Sequence, residues 1–296
     1  MIFKSFVLII VEPMDISMLV SLLALLAISV LYAAFDVFNK RNVPDVFAYV
    51  SVAAGLVITF AFHQSDIVFS LVVAMVVGVI GYTVYRLGLW GAGDYFELMA
   101  ISLVIPVQPT PFFTAIGQLG LPFILSVFVG TGFAAIWIVP IYYLLFMKKE
   151  WAKKPDAKHV YYGVSLLVLY LLLLLFIFYF YGFDPGRLIL ILVVAVPSAF
   201  TLVFEEEITS RMIESMPTTK LEEGDIIAFN MMSSREMRYF SKYAGFGRLA
   251  TRDLVKRLRS AKMRLPVYRN AAPLALFILI GIVISLFFGN VVLFMV

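Results

Sequence analysis

Eight stretches of nearly unbroken apolar sequence, each set off by a few polar residues, constrain this chain more than any other feature. Backbone N–H and C=O groups in hydrocarbon must be satisfied within the segment itself, so such stretches fold as helices. About 20 mainly apolar residues suffice to cross a bilayer. The segments fall at 18–37, 46–62, 67–85, 94–105, 119–147, 160–183, 188–204 and 271–296. Composition agrees: of 296 residues 62% are hydrophobic and only 14% charged, and the mean hydropathy is +1.00. The expected fold is an all-α polytopic membrane protein with about eight transmembrane segments in a lipid bilayer. Pro106, Pro109 and Pro111 stop the fourth segment short of spanning length, because proline ends a helix at or before its own position. Its continuation at 112–117 is expected to be re-entrant or loosely helical, and Pro122 and Pro140 are expected to kink the fifth segment.

One sizeable soluble stretch, 205–270, interrupts the pattern. Within it 220–229 reads as a turn followed by a strand-like run. The span 248–264 reads as a basic amphipathic helix with Leu249, Leu254, Val255 and Leu258 at helical spacing, suited to a membrane surface. Glu205-Glu206-Glu207 reads as a helix end in the headgroup zone, and Glu222-Glu223-Gly224-Asp225 as a solvated turn. The first 15 residues, with one lysine and a short apolar patch, do not read as a cleaved signal peptide.

If the loops alternate sides, one side carries 21 of the 23 Lys and Arg residues, leaving Lys4 and Arg187 opposite. Basic loops stay in the cytoplasm, so the expected topology puts the insert 205–270 in the cytoplasm and both termini outside. The net charge of +4 is then accounted for by membrane orientation, and no stacking aromatics interleave the basic stripe, so no nucleic-acid partner is expected.

Two acids stand out against this apolar background. Asp36 closes the first segment, and Asp94 ends the tetrapeptide Gly91-Ala92-Gly93-Asp94 before the fourth. A charge at the bilayer centre costs about 2.5–3.5 kcal/mol even on mild scales, so an acid in such a segment points to function. Gly91 and Gly93 are expected to let the backbone turn sharply and another chain approach. Both acids fall at the cytoplasmic boundary, where two carboxyls can share a proton: one takes a proton from water while the other polarises a scissile carbonyl.

Rival hydrolytic chemistries are poorly supplied. Cysteine is absent, and His63 and His159 are the only histidines, so neither a thiol nucleophile nor a histidine-rich zinc site is expected. No GxSxG elbow occurs, and no serine has an evident histidine at its own membrane level. No metal and no cofactor are expected. Each acid also has a plainer role, Asp94 as an N-cap and Asp36 as an interfacial residue. Asp45, after Pro44, reads as a helix cap or a contact for substrate. Glu97, three residues after Asp94 on the same helix face, reads as a residue tuning the pair, a contact for a basic substrate, or a structural partner of Arg86.

Asp36, the loop with Val43-Pro44-Asp45, and Gly91-Ala92-Gly93-Asp94 two segments later together resemble the prepilin peptidases, in particular the archaeal preflagellin (prearchaellin) peptidases. The motifs cover about residues 18–105. The resemblance implies that Asp36 and Asp94 are the catalytic pair of a GxGD aspartic endopeptidase. It also implies that the partners are pilin-like or archaellin precursors, cut on the cytoplasmic side after a short basic leader. Phe96 stands where bacterial members carry a lysine, and their cysteine-bearing methyltransferase domain is absent. The corresponding division is a catalytic membrane core at 1–147, further helices at 148–204, the insert at 205–270 and a final helix at 271–296. Two alternatives stay open. A presenilin- or signal-peptide-peptidase-like intramembrane protease would carry Tyr-Asp and Pro-Ala-Leu, against Phe35-Asp36 and Pro273-Leu274-Ala275-Leu276 here, and would place its acids on adjacent helices. A proton-coupled transporter would place its acids near the midplane.

Overall fold

The computed structural model describes residues 15–39, 42–110, 120–146, 155–241, 248–259, 263–269 and 272–291. Its apolar helices are α1 (Ile16–Phe38), α2 (Asp45–Phe62), α3 (Ile67–Arg86), α4 (Ala92–Val104), α5 (Phe123–Phe146), α6 (Ala157–Tyr181), α7 (Pro185–Val203) and α11 (Leu274–Phe288). Six are long and apolar enough to cross a membrane, namely α1, α2, α3, α5, α6 and α7. The polytopic helical fold is as the hydropathy indicates, but α4 and α11 have only 13 and 15 residues.

Those two short helices form the centre. Leu98, Ile101 and Val104 of α4 and Ile278 and Ile282 of α11 pack into one core with Leu25 of α1 and Ile124 and Val127 of α5. The long helices shield them while turning apolar side chains outward, as Val68, Val72, Val76 and Val79 of α3 do. A helix too short to reach water at both ends needs side chains for its last carbonyls. Thr59 Oγ1 of α2 donates to the Leu103 carbonyl at 2.6 Å, and Ser70 Oγ of α3 donates to the Ser102 carbonyl at 3.3 Å. Small residues bring the backbones together: a Cβ at Gly130 of α5 would lie 2.7 Å from the Gly281 carbonyl oxygen of α11.

Pro122 does not kink α5. It precedes that helix and pairs with Val107 in an antiparallel bridge, whereas Pro140 does lie inside. The re-entrant segment expected at 112–117 lies outside the described residues.

The insert has its own core. It comprises α8 (Glu205–Met212), β1 (Ile213–Pro217), α9 (Ser234–Phe240), α10 (Arg252–Arg259) and β2 (Arg264–Tyr268). β1 and β2 are antiparallel, from Ile213 opposite Tyr268 to Pro217 opposite Arg264. The strand-like run at 220–229 makes only single bridges, Ile226 to Leu249 and Ile227 to Val267. The basic stripe is also corrected: Leu254, Val255 and Leu258 of α10 face the insert core with Leu221, Ile227 and Leu265, so they offer no apolar face to a membrane. Leu249 lies outside that helix. Glu205, Glu206 and Glu207 open α8, where the helix dipole favours negative charge. The Glu222–Asp225 turn closes on itself, with Glu222 N–H donating to Asp225 Oδ2 at 2.8 Å and Gly224 at φ +94°.

Candidate active site

Asp36 ends a polar row on one face of α1. Ser29, Tyr32 and Asp36 follow one another at helical spacing, and all three are buried. Asp36 is 9% exposed, and its Oδ2 accepts the Ala275 N–H at 3.0 Å. That N–H belongs to the first turn of α11, whose leading N–H groups have no intrahelical acceptor. A carboxylate from the first spanning helix therefore satisfies the last helix, 239 residues away.

Asp94 is not an N-cap. Gly91 caps α4 and Asp94 sits three places later, its Oδ2 accepting the Gly91 N–H at 2.7 Å in a capping-box arrangement. The tetrapeptide glycines are not where the chain turns sharply. Gly91 has φ −76°, and the left-handed residue is Gly88 at φ +69°. Gly93 is required for close approach, since a Cβ there would lie 2.7 Å from Val43 Cγ2. The loop Val43-Pro44-Asp45 thus packs directly on the first turn of α4.

α1 packs against α4 although two segments separate them in sequence. That sequence separation therefore does not count against the presenilin-like alternative. Glu97, one turn beyond Asp94, is fully buried, and the charges of both Asp94 and Asp36 act on it. Among the described residues no ion pair joins Glu97 to Arg86, and the Ser29 hydroxyl is the group beside its carboxyl oxygens. Asp45 is exposed in the first turn of α2 and makes no cap hydrogen bond, Pro44 holding the cap position.

Aromatic rings close the surroundings. Tyr32 packs on Phe47 at 4.9 Å and donates to or accepts from Ser51 Oγ at 2.8 Å; Phe35 also meets Phe47, and Tyr95 packs among Tyr82, Tyr85 and Phe96. The insert reaches the same end of the bundle. A Cβ at Gly88 would lie 3.1 Å from Arg248 Cβ, and the charge of Glu223 acts on Tyr85, as does that of Asp45.

Residues 23–134 match the model of the type IV leader peptidase family. The matched stretch runs from α1 into α5 and contains both acids, the Val43-Pro44-Asp45 loop and the glycine tetrapeptide. No curated protein and no solved structure matches the chain. This stretch is similar to the type IV leader peptidases, and the chain carries several helices long and apolar enough to cross a membrane.

Ser29, Tyr32 and Gly88 escaped the sequence reading, and Ala275 entered it only as part of Pro273-Leu274-Ala275-Leu276. The polar spacing along α1 pointed to the first two; Ala275 contributes only its backbone. One elimination also needs correcting, because Ser21 Oγ lies 3.0 Å from His63 Nε2. Ser21 is fully buried and donates to the Ser17 carbonyl at 3.0 Å, so this pair ties α1 to the α2–α3 turn and presents no nucleophile. Among the described residues Asp156, the N-cap of α6, groups with His159 of α6 and Glu206 of α8 as potential metal ligands within 4.8 Å of one another.

Proposed function

We propose that this protein is a leader peptidase, an aspartic endopeptidase in which Asp36 and Asp94 activate water against the peptide bond that follows a short basic leader. The substrates are pilin-like or archaellin precursors, and the cut is made on the cytoplasmic side. The observation that carries the reading is that α1, whose last turns hold buried Asp36, packs against α4, whose first turn holds Asp94, inside the stretch that matches the family.

In this reading one carboxylate removes a proton from water as the water oxygen joins the scissile carbonyl carbon. The other carboxyl, protonated, gives its proton to the carbonyl oxygen. Collapse of the diol breaks the C–N bond: the first carboxyl returns its proton to the leaving nitrogen, and the second regains one as the carbonyl re-forms. The chain's other groups act by position. Ala275 N–H fixes the Asp36 carboxylate, Gly91 N–H fixes that of Asp94, and the packed core around α4 holds both helices. Asp45, exposed near Tyr85, supplies negative charge where a basic leader would lie, whereas Glu223 is paired with Arg252 at 3.5 Å. The basic-loop asymmetry supports the cytoplasmic placement, with both termini outside.

A presenilin-like reading gains one specific point, since Ala275 lies in Pro273-Leu274-Ala275-Leu276 and bonds Asp36. It expects cuts within an apolar span. The test is digestion of a pilin-like precursor by detergent-purified protein beside Asp36→Asn and Asp94→Asn. Wild type is expected to cut at the leader boundary, and each variant to lose ~10²–10⁴-fold in rate while keeping its melting temperature. Either variant retaining full activity would sink the aspartic mechanism. Cuts inside the apolar segment would select the presenilin-like reading, and no cleavage at all would turn attention to proton-coupled transport.

A further inference from the structure

We infer that Asp156, His159 and Glu206 form a binding site for one divalent transition-metal ion of the zinc class, bridging the start of α6 to the start of α8, where the insert leaves the bundle. The site is separate from Asp36 and Asp94 and does not rest on the aspartic reading. Local sequence sets two of its ligands. Asp156 is the N-cap of α6, its Oδ1 accepting the Lys158 N–H at 3.4 Å, and His159 follows three places later, so both side chains lie on one face of the first turn. Packing brings the third. One turn beyond His159, Gly163 lets α7 come close: a Cβ there would lie 3.0 Å from the Ala199 carbonyl oxygen and 2.5 Å from Val203 Cγ2. α7 ends at Val203, and α8 opens with Glu205 and Glu206 directly after it. The close approach of α7 to α6 thus delivers the Glu206 carboxylate to the imidazole.

One ligand atom from each of the three residues lies within 4.8 Å of the others, and Glu206 Oε1 is 3.9 Å from His159 Nδ1. That distance is too long for a hydrogen bond. Nδ1 is nonetheless buried, and it has no hydrogen-bond partner among the described residues. Buried polar atoms are rarely left unpaired, and a sealed ring nitrogen beside two carboxylates that it does not bond leaves room for an ion between them. The spacing suits one. Ligands about 2.0–2.2 Å from a tetrahedral centre stand roughly 3.4 Å apart, and Glu206, whose side chain is 70% exposed, is free to close the remaining gap. The Tyr162 ring, edge-to-face with His159 at 6.2 Å between centroids, steadies the imidazole. Charge agrees with the geometry. Among the described residues neither Asp156 nor Glu206 pairs with a lysine or arginine: Arg211 bonds Glu207 instead, and Lys158 Nζ lies over the Tyr162 ring at 5.7 Å. One imidazole with two carboxylates favours a borderline ion such as Zn²⁺ over Mg²⁺ or Ca²⁺, which take oxygen ligands.

The experiment uses the full chain in detergent, purified without a histidine tag, stripped with chelator, and titrated with Co²⁺ as a probe and then with Zn²⁺. Wild type is expected to take up one equivalent of Co²⁺ with visible absorption bands, to lose those bands to Zn²⁺, and to melt at a higher temperature when Zn²⁺ is present. His159→Ala and Glu206→Gln are each expected to weaken Zn²⁺ binding by about tenfold or more and to remove the Zn²⁺-dependent rise in melting temperature. Glu207→Gln, one place along α8 but bonded to Arg211, is expected to bind as wild type does. Glu206 is exposed, so its amide variant decides the matter alone if His159→Ala does not fold. A wild type that binds neither Co²⁺ nor Zn²⁺ at micromolar concentrations overturns the proposal and leaves an ion pair between protonated His159 and Glu206. Wild-type affinity in Glu206→Gln also overturns it, because the ion would then not bridge the two helices. Equal stabilisation by Mg²⁺ would refute the transition-metal class.

Discussion

At the scale of single residues, Gly93 shows what a motif glycine is for in this fold. Its place is taken up by Val43, whose Cγ2 would stand 2.7 Å from an added Cβ. Overpacking of this kind costs about 1–3 kcal/mol. Gly93→Ala is therefore expected to lower the melting temperature and slow precursor cleavage, and Val43→Ala in the same chain to restore part of both. Equal melting of Gly93→Ala and wild type would mean that the loop yields without cost. The tetrapeptide itself was legible, because an acid between two apolar segments is conspicuous. The reason for its glycines was not: close packing against a loop 50 residues earlier leaves no mark in the local sequence, and the left-handed turn belongs to Gly88.

At the scale of elements, the last helix holds the first. Ala275 N–H reaches Asp36 across the bundle, and a hydrogen bond to a charged group contributes about 1.5–3 kcal/mol. Ala275 lies in the first turn of α11, where proline removes no intrahelical bond. Ala275→Pro removes this bond alone, so it should lower the melting temperature by the few degrees one such bond carries and cut the cleavage rate by roughly tenfold. A variant that melts normally and cleaves at the wild-type rate would show that Asp36 needs no anchor from α11. The apolar helices were legible from hydropathy to within about four residues, except that α11 ends at Phe288, eight short of the expected 296. The insert was not, since its two strands are five residues each and pair across 46 intervening residues, a contact that neither strand announces.

At the scale of the whole molecule, the insert is docked on the end of the bundle that carries the glycine tetrapeptide and Asp94. Gly88, in the left-handed region, lies under Arg248 and Leu249. An alanine there meets both backbone strain, on the order of 1–2 kcal/mol, and a Cβ contact at 3.1 Å to Arg248. Gly88→Ala is expected to loosen this contact, seen as faster limited proteolysis within 205–270 and a slower cleavage of precursor. Unchanged protease resistance would show that the insert is held elsewhere.

Hydropathy by itself determined that the chain is a helical membrane protein, where its helices run, and that two acids sit at helix ends in apolar surroundings, because each of these is a property of contiguous residues. Loop charges likewise support one orientation. Only the tertiary structure decided that α4 and α11 are the buried centre, that α1 lies beside α4, and that Glu97 is sealed off while Asp45 is open. Those facts depend on which faces meet, and burial, close approach and a backbone N–H offered from 239 residues away are settled by packing rather than by any local pattern.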